Sequence, residues 1–141
     1  MLPNLLSSLL LIFTIVATVL SQVAPGTPQF RKEFLRAHNK YRREHGVANL
    51  KWDPNLERSA QAYANKCIWG HSKGRINVGE SLSKGHPSPT KTVDGWISER
   101  ALYNYNYKTG DYCDATNHFT GIVWKGTTHV GCGAAKCGNQ W

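Results

Sequence analysis

Residues 117–125 read NHFTGIVWK, and this stretch decides how the rest of the chain is interpreted. Aromatic and β-branched residues dominate it, which favours a strand in the middle of a sheet. His118 stands at the start of the predicted strand, where a sheet would fix the direction of its imidazole ring. Three ionisable residues from separate upstream segments, His71, Glu80 and Glu99, are candidates to converge on it.

The segments on either side of this stretch predict an α+β domain. Residues 119–125 and 128–134 are predicted to form an antiparallel strand pair that turns at Gly126. Upstream, three cap-and-proline pairs predict the starts of three helices. These pairs are Thr27–Pro28, Asp53–Pro54 and Ser88–Pro89. Helices that precede a late antiparallel sheet are typical of a layered α+β architecture.

The third predicted helix places a carboxylate beside its buried face. Val93, Trp96 and Ile97 follow helical spacing and should face the core. Glu99 lies one turn beyond Trp96, on or beside the same face. An unpaired buried charge costs several kcal/mol, so Glu99 should have a partner from another segment.

The N-terminus predicts export from the cell. Residues 1–30 contain no Asp, Glu, Lys or Arg, and residues 5–20 are almost entirely apolar. This run is shorter than the roughly 20 residues of a membrane-spanning helix, and small residues follow it. We therefore expect a signal peptide at 1–21, a leader at 22–29 and a single folded domain at 30–141. The alternative is an uncleaved anchoring helix, which the absence of N-terminal basic residues favours.

The chain is basic, with 17 Lys and Arg against 9 Asp and Glu, a formal net charge of +8. Such a charge suits adhesion to an anionic cell wall or membrane surface. The alternative is that the basic residues form an ordinary solvated surface with no role in binding. Because the basic residues form no clustered reading face in the sequence and the chain is expected to be secreted, we expect no nucleic-acid partner. We expect a monomer.

Cys67, Cys113, Cys132 and Cys137 are the four cysteines. Export would permit disulfides, and arithmetic alone allows three pairings. Zinc ligation by these cysteines is a poor interpretation, because no Cys-x-x-Cys pair occurs.

Seven short motifs follow one another in order. They are AHNKYR at 37–42, WDPNL at 52–56, GHS at 70–72, GES at 79–81, WISE at 96–99, HFTGIVW at 118–124 and VGCG at 130–133. The set resembles the CAP superfamily of cysteine-rich secretory proteins, wasp-venom antigen five and plant pathogenesis-related proteins of group one, over about residues 30–137. The resemblance implies a three-layer α-β-α sandwich with an antiparallel sheet.

The resemblance implies that His71, Glu80, Glu99 and His118 form the central cleft tetrad of that family. Two imidazoles from different segments can share a divalent cation, for which Zn²⁺ is the usual choice. Each glutamate can accept the second ring N–H and so orient the ligating nitrogen. With two protein ligands, waters would complete the shell. The alternative is a purely structural network of two Glu–His pairs.

The tyrosines after the third predicted helix indicate a lipid ligand. Tyr105, Tyr107 and Tyr112 fit the aromatic spacing called the caveolin-binding motif, which occupies an equivalent loop in sterol-binding members of the family. Aromatic faces give rigid apolar walls that suit a flat sterol. A second cleft of the family binds fatty acids in some members. The alternative for the tyrosines is packing or an exposed position without function.

The expected function is a secreted protein of the pathogenesis-related type that binds sterol or another lipid in the extracellular space. One alternative is a non-catalytic interaction protein of the cell wall or of defence. A metal-dependent hydrolase is a weaker alternative, because the chain has no His-Glu-x-x-His and no serine or cysteine identifiable as a nucleophile beside a base.

The chain departs from the family pattern at its cysteines and at its end. By resemblance Cys67 should pair with Cys132, a bridge that would contribute about 4 kcal/mol on the chain-entropy model. Thr116 stands where the usual partner of Cys113 would be, so Cys113 and Cys137 either pair with each other or are free. The family's last strand, with its Tyr-x-Pro-x-Gly-Asn signature, has no counterpart before Trp141, and we expect that strand to be missing from the sheet.

Overall fold

The structure, a computed structural model, describes residues 23–105 and 114–138. Four α-helices and two short strands lie in these ranges. They are α1 (Pro28–Glu44), β1 (Lys51–Trp52), α2 (Pro54–Ala64), α3 (Pro89–Ser98), α4 (Asn117–Val123) and β2 (His129–Val130). Two 3₁₀ turns, Glu99–Leu102 and Asp114–Thr116, flank the gap between α3 and α4.

The three predicted helix starts are confirmed. The Thr27 hydroxyl accepts the amide of Phe30 at 3.2 Å, and Ser88 caps α3 in the same way. The Asp53 carboxylate accepts two amides of the first turn of α2. These caps satisfy amides that have no partner inside the helix, so they fix where each helix begins. α1 ends at Glu44, two residues before Gly46, whose φ is +67°.

The strand predicted at 119–125 is wrong, because residues 117–123 form α4. Phe119 and Ile122 are three residues apart and both are buried, the spacing of a helical face. A carboxylate oxygen of Glu99 accepts the amides of His118 and Phe119 at the helix start. Residues with high β-propensity are held in a helix here by tertiary contacts. This is possible because β-propensity depends strongly on context.

The predicted antiparallel pair is also wrong. Among the described residues, β1 and β2 pair in parallel, with Lys51 opposite His129 and Trp52 opposite Val130. Two backbone hydrogen bonds extend the pairing, from Lys51 to Thr128 and from Asp53 to Val130. The two strands come from distant parts of the sequence, so they do not form the hairpin predicted for residues 119–125 and 128–134.

The core lies between α1, α3 and α4. It contains the predicted residues Val93, Trp96 and Ile97, which are all buried as expected. The other members of the cluster are Phe34, Ala37, Tyr41, Phe119 and Ile122. In the part of the chain that the structure describes, no helix is both long enough and apolar enough to cross a bilayer.

Arg42 is fully buried and ties α1 to the end of α4. Its guanidinium donates to the carbonyl oxygens of Ala48, Ile122, Trp124 and Thr127 at 2.6–3.0 Å. A buried cation needs such partners, and carbonyl groups at a helix C-terminus carry partial negative charge. The end of α4 is therefore fixed by a side chain 80 residues earlier in the sequence.

The predicted disulfide between Cys67 and Cys132 is wrong. Cys67 is bonded to Cys137, and Cys132 is a free, partly buried thiol. The alternatives for Cys137, a bond to Cys113 or a free thiol, are therefore wrong as well, while Cys113 itself lies outside the described residues.

The path of the chain after β2 explains this pairing. A Cβ built on Gly131 would lie 2.2 Å from the Glu57 amide nitrogen, and one on Gly133 would lie 2.3 Å from the Cα of Gln61. The segment therefore runs along α2 toward its C-terminal end in close contact with the backbone. It passes residues 57–61 at Cys132 and reaches the end of α2 at Cys137, whose sulfur is 3.9 Å from the Ala64 carbonyl oxygen.

Candidate functional site

His118 and Glu99 form a close pair where α3 and α4 meet. The Nδ1 atom of His118 is 2.6 Å from Oε1 of Glu99. The other carboxylate oxygen accepts the amides of His118 and Phe119 at 3.0 and 3.1 Å. The imidazole also stacks on Trp96, with 5.6 Å between ring centroids and 16° between planes. Glu99 therefore has the partner that its position near the core requires, and the His118 ring is held on two sides.

His71 and Glu80 form a second pair in the loop between α2 and α3. Nδ1 of His71 lies 2.7 Å from Oε1 of Glu80. Glu80 also accepts hydrogen bonds from the Ser72 amide at 2.9 Å, the Ser72 hydroxyl at 2.6 Å and the Arg75 guanidinium at 2.8 Å. Partial burial alone would raise the pKa of Glu80, but these donors outweigh it and hold the pKa below its usual value. The carboxylate is therefore stabilised in its ionised form.

The two pairs have the same chemistry. Because a carboxylate oxygen accepts at each Nδ1, that nitrogen carries a proton, and the lone pair of a neutral ring lies on Nε2. The structure thus brings His71 to Glu80 and His118 to Glu99. No group of three or more His, Cys, Asp or Glu side chains in the described ranges could hold an ion, so at most two such side chains would ligate a cation here.

The Ser72 hydroxyl is bonded to a carboxylate and not to an imidazole. Its oxygen is bonded to the Glu80 carboxylate, and the imidazole of His71 is bonded to the same carboxylate through its other oxygen. A serine nucleophile needs a base that takes its proton, usually an imidazole in hydrogen-bond contact. The arrangement around Glu80 is that of a structural or orienting network.

A pocket of about 300 Å³, called here the aromatic pocket, opens beside α4. Its lining residues are His45, Tyr103, Tyr105, Phe119, Thr120, Val123, Trp124 and Lys125. The rings of Tyr103 and Tyr105 meet edge to face at 4.8 Å, and Tyr103 contacts Phe119 in the same way at 5.4 Å. Tyr105 and Trp124 are 66% and 65% exposed, so large aromatic surface is available to a ligand.

Of the three tyrosines predicted to bind lipid, Tyr105 lines the aromatic pocket, while Tyr107 and Tyr112 lie outside the described residues. Sequence reasoning missed Tyr103 and Trp124. Tyr103 shares the alternating spacing of Tyr105 and could have been included on that signal. His45 could not have been found, because α1 and the tyrosine segment are brought together only by the tertiary packing.

The chain is similar to known proteins over most of its length. The model of the cysteine-rich secretory protein (CAP) family matches residues 35–141. Pathogenesis-related leaf protein 6 of Solanum lycopersicum is 35% identical over 138 residues, which cover 96% of this chain and 85% of that protein. Repressed by EFG1 protein 1 of Candida albicans is 35% identical over 120 residues, covering 80% of this chain and 42% of that protein. The chain thus spans less than half of this fungal relative and most of the plant one.

Solved structures share the fold. BmVAL-1 superposes with a TM-score of 0.68 and 29% identity, covering 77% of this chain and 69% of its own. The structure of NaASP2 with Zn²⁺ gives a TM-score of 0.71 over 81% of this chain and 76% of its own, and at 22% identity it shows only the fold. These likenesses confirm the expected α-β-α sandwich. The parallel pairing of β1 and β2 gives no support to the antiparallel detail.

Proposed function

The chain belongs to the cysteine-rich secretory protein (CAP) family, and from that premise we propose that it is an exported module of the pathogenesis-related type that binds a sterol or a related lipid. The aromatic pocket beside Tyr105 is the observation that carries this proposal. Export is proposed from the apolar segment at 1–21, which has the length and small-residue boundary of a signal peptide.

The walls of the aromatic pocket support an apolar ligand. Tyr103, Phe119 and Val123 give it an apolar floor and sides, and Tyr105 and Trp124 stand exposed at its margin. Flat aromatic faces contribute large contact area at low conformational cost, and a volume near 300 Å³ is at the lower end of small-molecule pockets. A ligand such as a sterol would therefore fill the pocket in part and cover the exposed rings with the rest of its surface.

Beside its apolar surface, the pocket is lined by the polar groups of His45, Tyr103, Tyr105, Thr120, Trp124 and Lys125. Nδ1 of His45 is 2.8 Å from the Tyr41 carbonyl oxygen, so it donates there and leaves Nε2 as an acceptor when the ring is neutral. Thr120 donates its hydroxyl to the Asn117 carbonyl at 3.2 Å and keeps lone pairs for a donor. A mostly apolar lining with a few acceptors suits a hydrocarbon body that carries a hydroxyl group.

The test is sterol binding by a variant that loses both exposed rings, Tyr105→Ala with Trp124→Ala. Because both side chains are largely exposed, their removal should cost little folding stability. We expect the affinity for radiolabelled sterol to fall by about tenfold or more, since each lost ring removes apolar contact area.

The matched control removes two exposed apolar side chains outside the pocket, Trp69→Ala with Ile76→Ala, which are 61% and 81% exposed. It should bind sterol as the native protein does. Native affinity in the pocket variant, or an equal loss in the control, would contradict the assignment of the ligand to this pocket.

As a second candidate function, we propose weak binding of Zn²⁺ or another divalent cation through Nε2 of His71 and His118. The donor chemistry fits, because each ring is oriented by a carboxylate at Nδ1. The described residues supply too few protein ligands to fill the coordination shell of the cation. Water would therefore complete the shell, and the affinity would be modest.

The test is calorimetric titration with Zn²⁺. His71→Ala and His118→Ala should each abolish the binding, while His129→Ala, which removes an exposed histidine of β2, should leave it unchanged. Zinc binding that survives both substitutions would show that the ion is held elsewhere.

A further inference from the structure

α1 carries a line of exposed cations along the face that points away from the core. The members of this basic stripe are Lys32, Arg36, Lys40 and Arg43, and all four are exposed. At about 100° of rotation per residue they fall within an arc of roughly 80°. At about 1.5 Å of rise per residue they span roughly 16 Å of the helix axis.

The basic stripe is not neutralised by the rest of the molecule. None of its four members forms an ion pair within the ranges that the structure describes, and Arg43 has only a long contact of 3.5 Å to the side chain of Asn49. By contrast Arg31, Arg75 and Arg100 each lie within 4.0 Å of a glutamate. Four cations without an ion pair in the described ranges therefore share one exposed helix face.

The two glutamates of α1 are directed elsewhere. Glu33 accepts hydrogen bonds from the amide and the hydroxyl of Thr90 at 3.1 and 2.8 Å. Glu44 lies 3.8 Å from the guanidinium of Arg100. Because both carboxylates already face a donor from α3 or from the turn after it, they offset little of the charge of the stripe.

The surroundings of the stripe favour a soluble polymer over a bilayer. Of the large apolar residues of α1, Phe30, Phe34 and Tyr41 are buried and Leu35 is half-buried, so this helix has little apolar surface to insert into lipid. Within the described ranges the exposed large hydrophobic side chains lie in other segments: Ile68, Trp69, Ile76, Val78, Leu102, Tyr105 and Trp124. α1 itself therefore carries no exposed aromatic ring that would stack on a nucleobase.

We propose that the basic stripe of α1 is a binding site for a linear anionic polysaccharide, a sugar chain that carries carboxylate or sulfate groups along its length. Cations four residues apart on a helix are neighbours about 6 Å apart, which presents a row of charges to a polymer lying along the axis. The export proposed above would bring the protein into contact with such polymers outside the cell. Binding should depend steeply on salt, because each neutralised anionic group releases a counterion.

The test compares two variants of the full chain with the same change in net charge. The stripe variant combines Lys32→Gln, Arg36→Gln, Lys40→Gln and Arg43→Gln. The control variant replaces four exposed lysines scattered over other segments by glutamine, and they are Lys51, Lys73, Lys91 and Lys136. Binding to polygalacturonate and to heparin is measured at several NaCl concentrations.

We expect the stripe variant to lose about tenfold or more of its affinity for at least one polysaccharide and to show a flatter salt dependence, while the control loses less than about threefold. If the stripe variant loses affinity for both polymers, or for one alone, the proposal is supported. The polymer whose affinity is lost then identifies the anionic group, carboxylate or sulfate. Equal losses in the two variants would overturn it, since net charge alone would then explain binding. Binding through the stripe to phosphatidylserine vesicles or duplex DNA, with neither polysaccharide bound, would overturn it as well.

Discussion

At the scale of single residues, the fold is held by buried polar groups whose partners come from other segments of the chain. Arg42 and Glu57 are both buried, and each is surrounded by donors or acceptors from other segments. Glu57 accepts from Arg31 at 2.8 and 3.0 Å and from the Trp52 indole at 2.9 Å. Burial alone would raise the pKa of Glu57, but these donors outweigh it and hold the pKa below its usual value.

Arg42→Met should be strongly destabilising. It would leave the carbonyl groups of Ala48, Ile122, Trp124 and Thr127 without their common donor in a buried site. Each carbonyl left unsatisfied there costs about 1 kcal/mol or more, so we expect a total loss of about 4 kcal/mol in the free energy of unfolding, measured with urea. Arg43→Met is the matched control at an exposed neighbour, and its effect should stay within about 0.5 kcal/mol. Similar effects of the two substitutions would contradict the role given to Arg42.

His38 should make stability depend on pH. Its ring is buried between Phe34 and Trp96, and burial lowers its pKa to about 4 from the value of 6.5 that applies in the unfolded chain. Between these values the unfolded state binds a proton that the folded state does not. The contribution of neutral, buried His38 to the free energy of unfolding is therefore fully present above about pH 6.5. It is lost as the pH drops toward 4, by roughly 3 kcal/mol in total.

The measurement is the free energy of unfolding between pH 7 and pH 5, a window above most carboxylate titration. His38→Gln should flatten the profile, because its amide cannot be protonated there. His129→Gln, at an exposed position, should keep the native slope. A His38→Gln profile as steep as that of the native protein would contradict the assignment.

At the scale of elements, the sequence predicted helix starts well and the region 117–125 badly. A capping side chain accepts an amide only two or three residues later, and a proline follows it directly. Thr27, Asp53 and Ser88 could therefore be recognised without any tertiary information. α4 could not, because Arg42 and Glu99 fix its two ends from other helices. The spacing of Phe119 and Ile122 was the one local signal for a helix.

Gly121→Ala tests whether residues 117–123 are helical in solution. Gly121 lies in α4, is exposed, and a Cβ there would meet no atom within 4 Å. Alanine should therefore stabilise the protein by about 0.5–1 kcal/mol, the difference in helix propensity.

Gly46→Ala is the contrasting variant. The φ of Gly46 is +67°, a conformation that alanine adopts with strain, so we expect a loss of about 1 kcal/mol. A destabilising Gly121→Ala in thermal or urea unfolding would argue against α4.

At the scale of the whole molecule, pairing between distant segments was the hardest feature to predict. The family resemblance named His71, Glu80, Glu99 and His118, and the structure shows which histidine pairs with which glutamate, His71 with Glu80 and His118 with Glu99. Sequence motifs report which residues occur, but not which side chains bond to one another. The same limit applies to the disulfide, because its pairing follows from the path of residues 131–137 along α2.

Non-reducing peptide mapping should find Cys67 linked to Cys137. This bond closes a separation of 70 residues, so Cys67→Ala with Cys137→Ala should cost about 4 kcal/mol on the chain-entropy model. Burial raises the pKa of the Cys132 thiol to about 12, so this thiol should resist alkylation in the native protein and react after unfolding. A peptide that links Cys67 to Cys132 would contradict the structure.

The most direct test of lipid binding at the aromatic pocket is photolabelling of the native protein with a diazirine-bearing sterol, followed by peptide mass spectrometry. The account predicts adducts on the peptides that contain Tyr103, Tyr105 and Phe119–Lys125, and their loss when unlabelled sterol competes. Adducts confined to the exposed apolar segment at residues 68–78, or labelling that no competitor displaces, would contradict it.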